Sequence, residues 1–325
     1  MAYSSTSVIT ASDYNTLFKD PLNKIIGRGN DGGGAGGAFG YGQTNTIAAV
    51  TGGTDTISAT QWSNLFTRLR STLNHQGSTT TLAAGNPATA DTIAIKSGLT
   101  TDITTVATNK AIAAAGSLNS AAAITGLSDA TRTAAWASTI TLAYTVTFAA
   151  SGTAPASSSA MDAARYFFNT GGYLSLGLTT ANGSGTQDTA WTNLITAMGS
   201  IRFGANGTTK SGGSGTPTTL ASSIGYYQLT TSNQTIFKQF DTTASYTANY
   251  IQLDVSSNSI TDANSLGGKG STLTFTLTLS DAHTNAFSDT VNLDVTNQVR
   301  YVGHNTTYLN NQGWTIAGAI TNQWT

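Results

Sequence analysis

The chain has 325 residues, and its 14 basic and 15 acidic side chains make up 9% of it, against about 25% in an ordinary globular protein. All the acids are Asp, Glu and Cys are absent, and Thr, Ser and Asn number 60, 33 and 24. These figures exclude a disulfide framework and a Cys-ligated metal site, and a formal net charge of −1 offers no field to gather nucleic acid or an anionic membrane.

No apolar run approaches the roughly 18 residues of a membrane span. With 12 Tyr, 11 Phe and 5 Trp the chain can fill a core, which argues against disorder. Thr is β-branched and suits a pleated surface, so its abundance implies strands whose solvent faces carry hydroxyls in place of charges. Such faces lose little desolvation energy when pressed against another protein. This balance fits a subunit of a large assembly or an exposed adhesin. The opening Met1-Ala2-Tyr3-Ser4-Ser5-Thr6 has neither a basic region nor an apolar stretch of about 7–15 residues, so no secretory leader is expected. That favours assembly in the cytoplasm.

Residues 1–77 read as a helical anchoring region built on a repeat. Ile9-Thr10-Ala11-Ser12-Asp13-Tyr14-Asn15-Thr16-Leu17-Phe18 matches Ile57-Ser58-Ala59-Thr60-Gln61-Trp62-Ser63-Asn64-Leu65-Phe66 at a spacing of 48. Each copy opens on hydroxyls able to cap a helix, Thr10 or Ser12 in one and Ser58 or Thr60 in the other. Trp62, Leu65, Phe66, Leu69 and Leu73 then form one apolar stripe, as do Tyr14, Leu17, Phe18, Leu22 and Ile25. Two helices with facing stripes are expected, with Tyr14, Leu17, Phe18, Trp62, Leu65, Phe66 and Leu69 as the packing and assembly residues. Between them, Gly27 to Gly42 carries nine Gly in sixteen positions and reads as a flexible loop, or one threaded along a neighbouring subunit. Its formal G-x-G-x-x-G lacks the preceding strand and following helix of a dinucleotide site.

Residues 78–135 read as a connecting region, partly helical, with a short helix near Ala111 to Ala123. From 136 the period becomes two, and 136–325 reads as a β-rich domain. Ile140, Leu142, Tyr144, Val146 and Phe148 share one face of a strand, with Thr139, Thr141, Thr145 and Thr147 on the other. Thr272 to Leu279 repeats this pattern, as do Ile251-Leu253-Val255 and Val291-Leu293-Val295. Shorter strands are expected at Arg165 to Asn169, Tyr173 to Leu178, Ser200 to Gly204 and Tyr226 to Leu229. A helix is inserted at 187–198. The fold class is α+β: an N-terminal helical pair followed by a mainly antiparallel, β-sandwich-like region.

Candidate chemistry is sparse. His75, His283 and His304 form no HxxxH pair, and HExxH needs a Glu. His75 closes the second helix, where a partly charged imidazole suits the C-terminal dipole. Asp281-Ala282-His283 with Asp289 is the one local acid–His cluster and reads best as a solvated turn. The sequence therefore nominates no catalytic, cofactor-binding or metal residue. Tyr301, Tyr308, Trp314 and Trp324 are aromatics that, if exposed, stack on sugar rings.

Several short segments resemble a family of virion structural proteins of tailed phages, especially contractile-tailed phages of marine cyanobacteria. They are Asp13-Tyr14-Asn15-Thr16, Gly40-Tyr41-Gly42-Gln43, the segment 57–65, His75-Gln76-Gly77, Arg165-Tyr166-Phe167-Phe168-Asn169-Thr170-Gly171-Gly172, Gly225-Tyr226-Tyr227-Gln228-Leu229, Gln234 to Gln239 and Ala248 to Ile251. The resemblance implies a non-enzymatic virion component of the tail or neck apparatus, assembled in the host cytoplasm. Its partners would be other virion proteins and copies of itself, with no cofactor, nucleic acid or membrane. The alternatives are a receptor- or carbohydrate-binding fibre module that meets a host-surface glycan, and a capsid decoration protein.

Overall fold

A computed structural model describes residues 9–32, 36–51, 57–82, 96–283 and 290–325. The first helix, α1 (residues 11–26), and the second, α2 (Ala59–Gln76), start alike. Thr10 Oγ1 accepts from the Asp13 N–H at 3.1 Å while the Asp13 carboxylate accepts from the Thr10 N–H at 2.9 Å. Ser58 and Gln61 exchange the same two bonds at 3.2 and 2.7 Å. The repeat is thus a repeated capping box. Its aromatics meet: Trp62 lies edge-on to Tyr14 at 5.2 Å and 5.8 Å from Phe18.

The facing stripes differ from expectation at one residue. Tyr14, Phe18, Trp62, Leu65, Phe66 and Leu69 are buried, but Leu17 is 39% exposed. Pro21 lies four residues on, and it cannot supply an N–H to the Leu17 carbonyl. Tyr14–Lys19 therefore runs as a π-helix, with the Asp20 N–H bonded to Asn15 O. The widened turn advances less rotation per residue and carries Leu17 off the stripe.

The connecting region holds its helix earlier than predicted, at α3 (Lys96–Thr108). Leu99, Ile103 and Val106, at i, i+4 and i+7, close the helical core. The alanines of 111–123 offer no comparable stripe. There the chain forms only a 3₁₀ turn at Ala115–Ser117 and the short strand β1 (Ala122–Ala123).

The remainder is β2 (Ala130–Arg132), β3 (Thr139–Ala150), helix α4 (Ala160–Asn169), β4 (Tyr173–Ala181), helix α5 (Thr186–Met198), β5 (Ser200–Phe203), β6 (Thr208–Ser211), β7 (Thr219–Leu220), β8 (Gln234–Phe240), β9 (Tyr250–Ser257), β10 (Thr272–Ser280), β11 (Asp294–Val302) and β12 (Trp314–Asn322). One sheet runs β1-β11-β4-β5-β6, with β2 also on β11; the other runs β12-β3-β10-β9-β8-β7. Every named strand pair is antiparallel. The two sheets pack face to face across a shared apolar core, where Phe203 of one meets Phe275 of the other at 5.7 Å.

Three strand expectations are corrected. Arg165 to Asn169 is the end of helix α4. All five residues are buried, so no alternation exists to read, and the signal missed is the cap, Ser159-x-x-Asp162, whose two bonds measure 3.1 and 2.8 Å. Tyr226–Gln228 is a 3₁₀ turn, held by Gln228 Oε1 accepting from the Gly225 N–H at 3.1 Å. Val291 and Leu293 precede β11; Val291 instead exchanges backbone bonds of 2.8 and 3.0 Å with Trp136.

Candidate functional site

Several of the motifs scattered along the sequence meet in space, between the helical core and the sandwich. Arg165 of α4 is fully buried. Its Nη2 donates to Asp162 Oδ1 at 2.8 Å and to the Arg28 carbonyl at 2.6 Å. Arg28 returns to the same carboxylate, Nη2 to Oδ2 at 3.1 Å. Burial alone would raise the Asp162 carboxyl, but the Ser159 N–H and the two guanidinium groups outweigh it and hold it below the ordinary Asp value. The Gly-rich segment wraps this guanidinium. Gly29 and Gly40 have φ of 110° and 111°, and a Cβ on either would lie 2.8 or 2.6 Å from Arg165 Nη1. Both the backbone conformation and the close approach require glycine. The described residues of the segment, 27–32 and 36–42, therefore lie along the chain's own sandwich.

The neighbouring contacts use the other motif residues. Asn169 Nδ2 donates to Ala38 O and Gly40 O, each at 3.0 Å, and its Oδ1 accepts from the Tyr227 hydroxyl at 2.7 Å. Phe168 stacks on Tyr226 at 4.6 Å. Gln76 Nε2 donates to the Tyr41 hydroxyl at 2.6 Å, and Gln43 spans to Asn310 and Asn311 at 2.8 and 2.9 Å. Burial raises the Tyr41, Tyr226 and Tyr227 phenols, so each stays a neutral hydroxyl.

Two histidines complete the junction. His75 Nε2 lies 3.1 Å from Thr170 O, and His304 Nε2 lies 3.1 Å from Asn311 O. These carbonyl partners assign the proton to Nε2 in both rings. The rings are 6.1 Å apart and both residues are fully buried. Burial lowers both imidazoles to about 4, with His304 adding to the effect at His75. His75 is thus neutral, not the partly charged helix terminus expected from sequence.

A second cluster lies at the amino end of α5. Residues 183–188, Tyr246, Thr290 and Asn292 line a cleft of about 690 Å³. Beside it His283 Nδ1 is 2.8 Å from Asp281 Oδ1, and Gln187 Nε2 donates to Asp281 Oδ2 at 2.7 Å. Asp289, the third member expected from sequence, lies outside the described residues. Asp188 accepts from the Ser184 and Gly185 N–H groups, each at 3.0 Å, and from Asn292 N–H at 2.8 Å. The turn at Asp281 is held by Asn249 Oδ1, which accepts from the Ala282 and His283 N–H groups at 2.8 and 3.0 Å. Among the described residues no three His or Asp side chains gather as metal ligands.

The packing residues chosen from sequence all belong to the chain's own helical core except Leu17, so they are not a free surface. Trp314 and Trp324 are buried and Tyr301 and Tyr308 half-buried. Sequence reading missed Arg28 and Tyr227 as partners of the RYFFNTGG segment, since separations of 137 and 58 residues leave no local pattern, and it missed Asp162, three residues before Arg165, because the cap it forms with Ser159 was not read. Compared with protein-family models, curated proteins and solved structures, the chain gives no significant match.

Proposed function

We propose that the chain is a non-enzymatic structural component of a tailed-phage virion, most simply of the tail or neck apparatus, that assembles with copies of itself and with other virion proteins. The observation that carries this reading is the outer face of the sheet β12-β3-β10-β9-β8-β7. There the β3 and β10 strands place four threonines each toward solvent and no charged side chain. A hydroxylated, nearly uncharged sheet costs little to dehydrate on contact. The motif resemblance supports the same reading: several of its segments, Gly40 to Gln43, His75 to Gly77 and Arg165 to Gly172 among them, serve the joint between helical core and sandwich. The test is mass spectrometry of the subunits of purified particles. The chain is expected there in stoichiometric copies; finding it only free in the lysate sinks the reading.

A further inference from the structure

The cleft at the amino end of α5 is walled by three separate stretches of chain: residues 183–188, Tyr246, and Thr290 with Asn292. Asp188 ties the first to the last. Its carboxylate accepts from the Ser184 and Gly185 N–H groups at 3.0 Å and from the Asn292 N–H at 2.8 Å. Those bonds occupy the one charged side chain on the wall, and no cation lines it. The other polar groups are neutral and unused. Ser184, Thr186 and Thr290 are exposed, and none of their hydroxyls bonds to a described residue. Asn292 Nδ2 donates to Thr290 O at 2.9 Å, which leaves its Oδ1 open. Gln187 is 3% exposed. Its Nε2 donates to Asp281 Oδ2 at 2.7 Å, which fixes the orientation of the amide, and its Oε1 is buried with no donor. A buried acceptor left unpaired is costly and calls for a donor.

We propose that this cleft binds a neutral carbohydrate. Its volume of about 690 Å³ falls within the range of small-molecule sites, about 300–1,000 Å³. The chemistry of the wall then selects the ligand. An anion finds no cation there and meets a carboxylate. A metal ion finds a single carboxylate, already taken by three N–H groups. A lipid or an apolar peptide side chain finds only Tyr246 as aromatic surface. A sugar fits each of these conditions, because every hydroxyl both donates and accepts. One hydroxyl donates to Gln187 Oε1 and another to Asn292 Oδ1, while others pair with Ser184, Thr186 and Thr290. Tyr246 lends an aromatic surface to the C–H face of the ring. The Asp188 bonds hold the wall in place before the ligand arrives, so little ordering is lost on binding. The proposal goes beyond the virion reading and stands without it.

The full chain, applied to an array of neutral, sialylated and sulfated oligosaccharides, tests this. Retention of neutral glycans is expected, with dissociation constants of about 10 μM to 1 mM when the retained sugars are titrated free in solution. Thr186→Ala/Thr290→Ala removes two hydroxyls at exposed positions and is expected to weaken binding at least about tenfold with unchanged circular dichroism. Gln187→Met keeps the length of the side chain without its acceptor and is expected to abolish retention. Thr290→Trp, which fills the cleft from an exposed position, is expected to do the same in a chain whose Gln187–Asp281 bond is intact. A wild type that retains no neutral glycan overturns the proposal. So does a preference for the acidic glycans, or binding that Thr186→Ala/Thr290→Ala or Thr290→Trp leaves untouched. The two readings fail separately: a chain found in particles that retains no glycan sinks this proposal alone, and a glycan-binding chain missing from particles sinks the virion reading alone.

Discussion

The helical region and the sandwich are stabilised by different means and joined by a third. In the helical region α1, α2 and α3 close on one apolar cluster around Trp62, Phe66 and Leu69. In the sandwich, two sheets close on a separate cluster that α4 and α5 complete. Hydrophobic burial is non-directional and sums with area. Between the clusters the contacts are directional: a doubly used carboxylate, an asparagine amide clamp and two neutral imidazoles. Apolar packing would let the regions slide, whereas hydrogen bonds of fixed geometry set one orientation. The junction therefore fixes how the helices present themselves relative to the sheets. It is also where the two regions should come apart.

Acid should produce the largest effect. His75 sits at the end of α2, His304 follows β11, and Thr170, after α4, contacts both. Their folded pKa values, lowered to about 4, lie below the ordinary value of about 6.5. The unfolded chain therefore binds more protons between those values. The stabilisation is fully present above about pH 6.5 and lost progressively as pH falls to about 4. Each ring contributes up to about 3 kcal/mol over that window. Calorimetry from pH 7 to 4.5 should show a falling transition that splits in two as the helical region detaches. A His75→Gln/His304→Gln chain should lose most of that slope. A Tm independent of pH in this window would break the comparison at its root.

Two substitutions of about equal size should differ in what they melt. Asp162→Ala leaves Arg165 buried without its carboxylate and removes the cap of α4. Breaking a buried ion pair costs about 3–5 kcal/mol, and the loss should uncouple the regions into separate transitions. Trp62→Ala removes a ring packed between Tyr14 and Phe66 and should also cost about 3–5 kcal/mol. Its effect should fall on the helical transition alone, leaving the melting of the sandwich in place. Identical profiles for the two variants would mean the regions unfold as one.

What was legible in the sequence follows the same division. Within each region local pattern carried the signal. The alternation of Thr139 to Phe148 became β3 with those apolar residues inward, and the capped repeat became two helices in contact. The junction was illegible because its pairings are long-range and its residues are buried on all sides. Three consecutive rings in Tyr166-Phe167-Phe168 look the same to a period-two or a helical template, and only the cap at Ser159 and Asp162 separates them. The Gly-rich run was read as loose because composition reports conformational freedom and cannot report the guanidinium that occupies it. Likewise Gln187 and Asp281, 94 residues apart, carry no mutual pattern along the chain.

The smallest effect expected sharpens the comparison inside the helical region itself. By spacing, Leu17 belongs to the stripe of Tyr14 and Phe18, and truncating a buried Leu costs about 2–5 kcal/mol. In the structure the π-turn ahead of Pro21 turns it outward, and at 39% exposure it makes no such contribution to the core. Leu17→Ser should therefore change stability by no more than about 0.5 kcal/mol. Replacing Pro21 by Ala in the same chain restores the missing N–H donor and favours a regular α-helix. That would swing residue 17 back toward Trp62, so Ser at 17 should then cost measurably more than it does beside Pro21. Equal costs in the two backgrounds, by denaturant titration, would mean that Pro21 is not what holds Leu17 off the stripe.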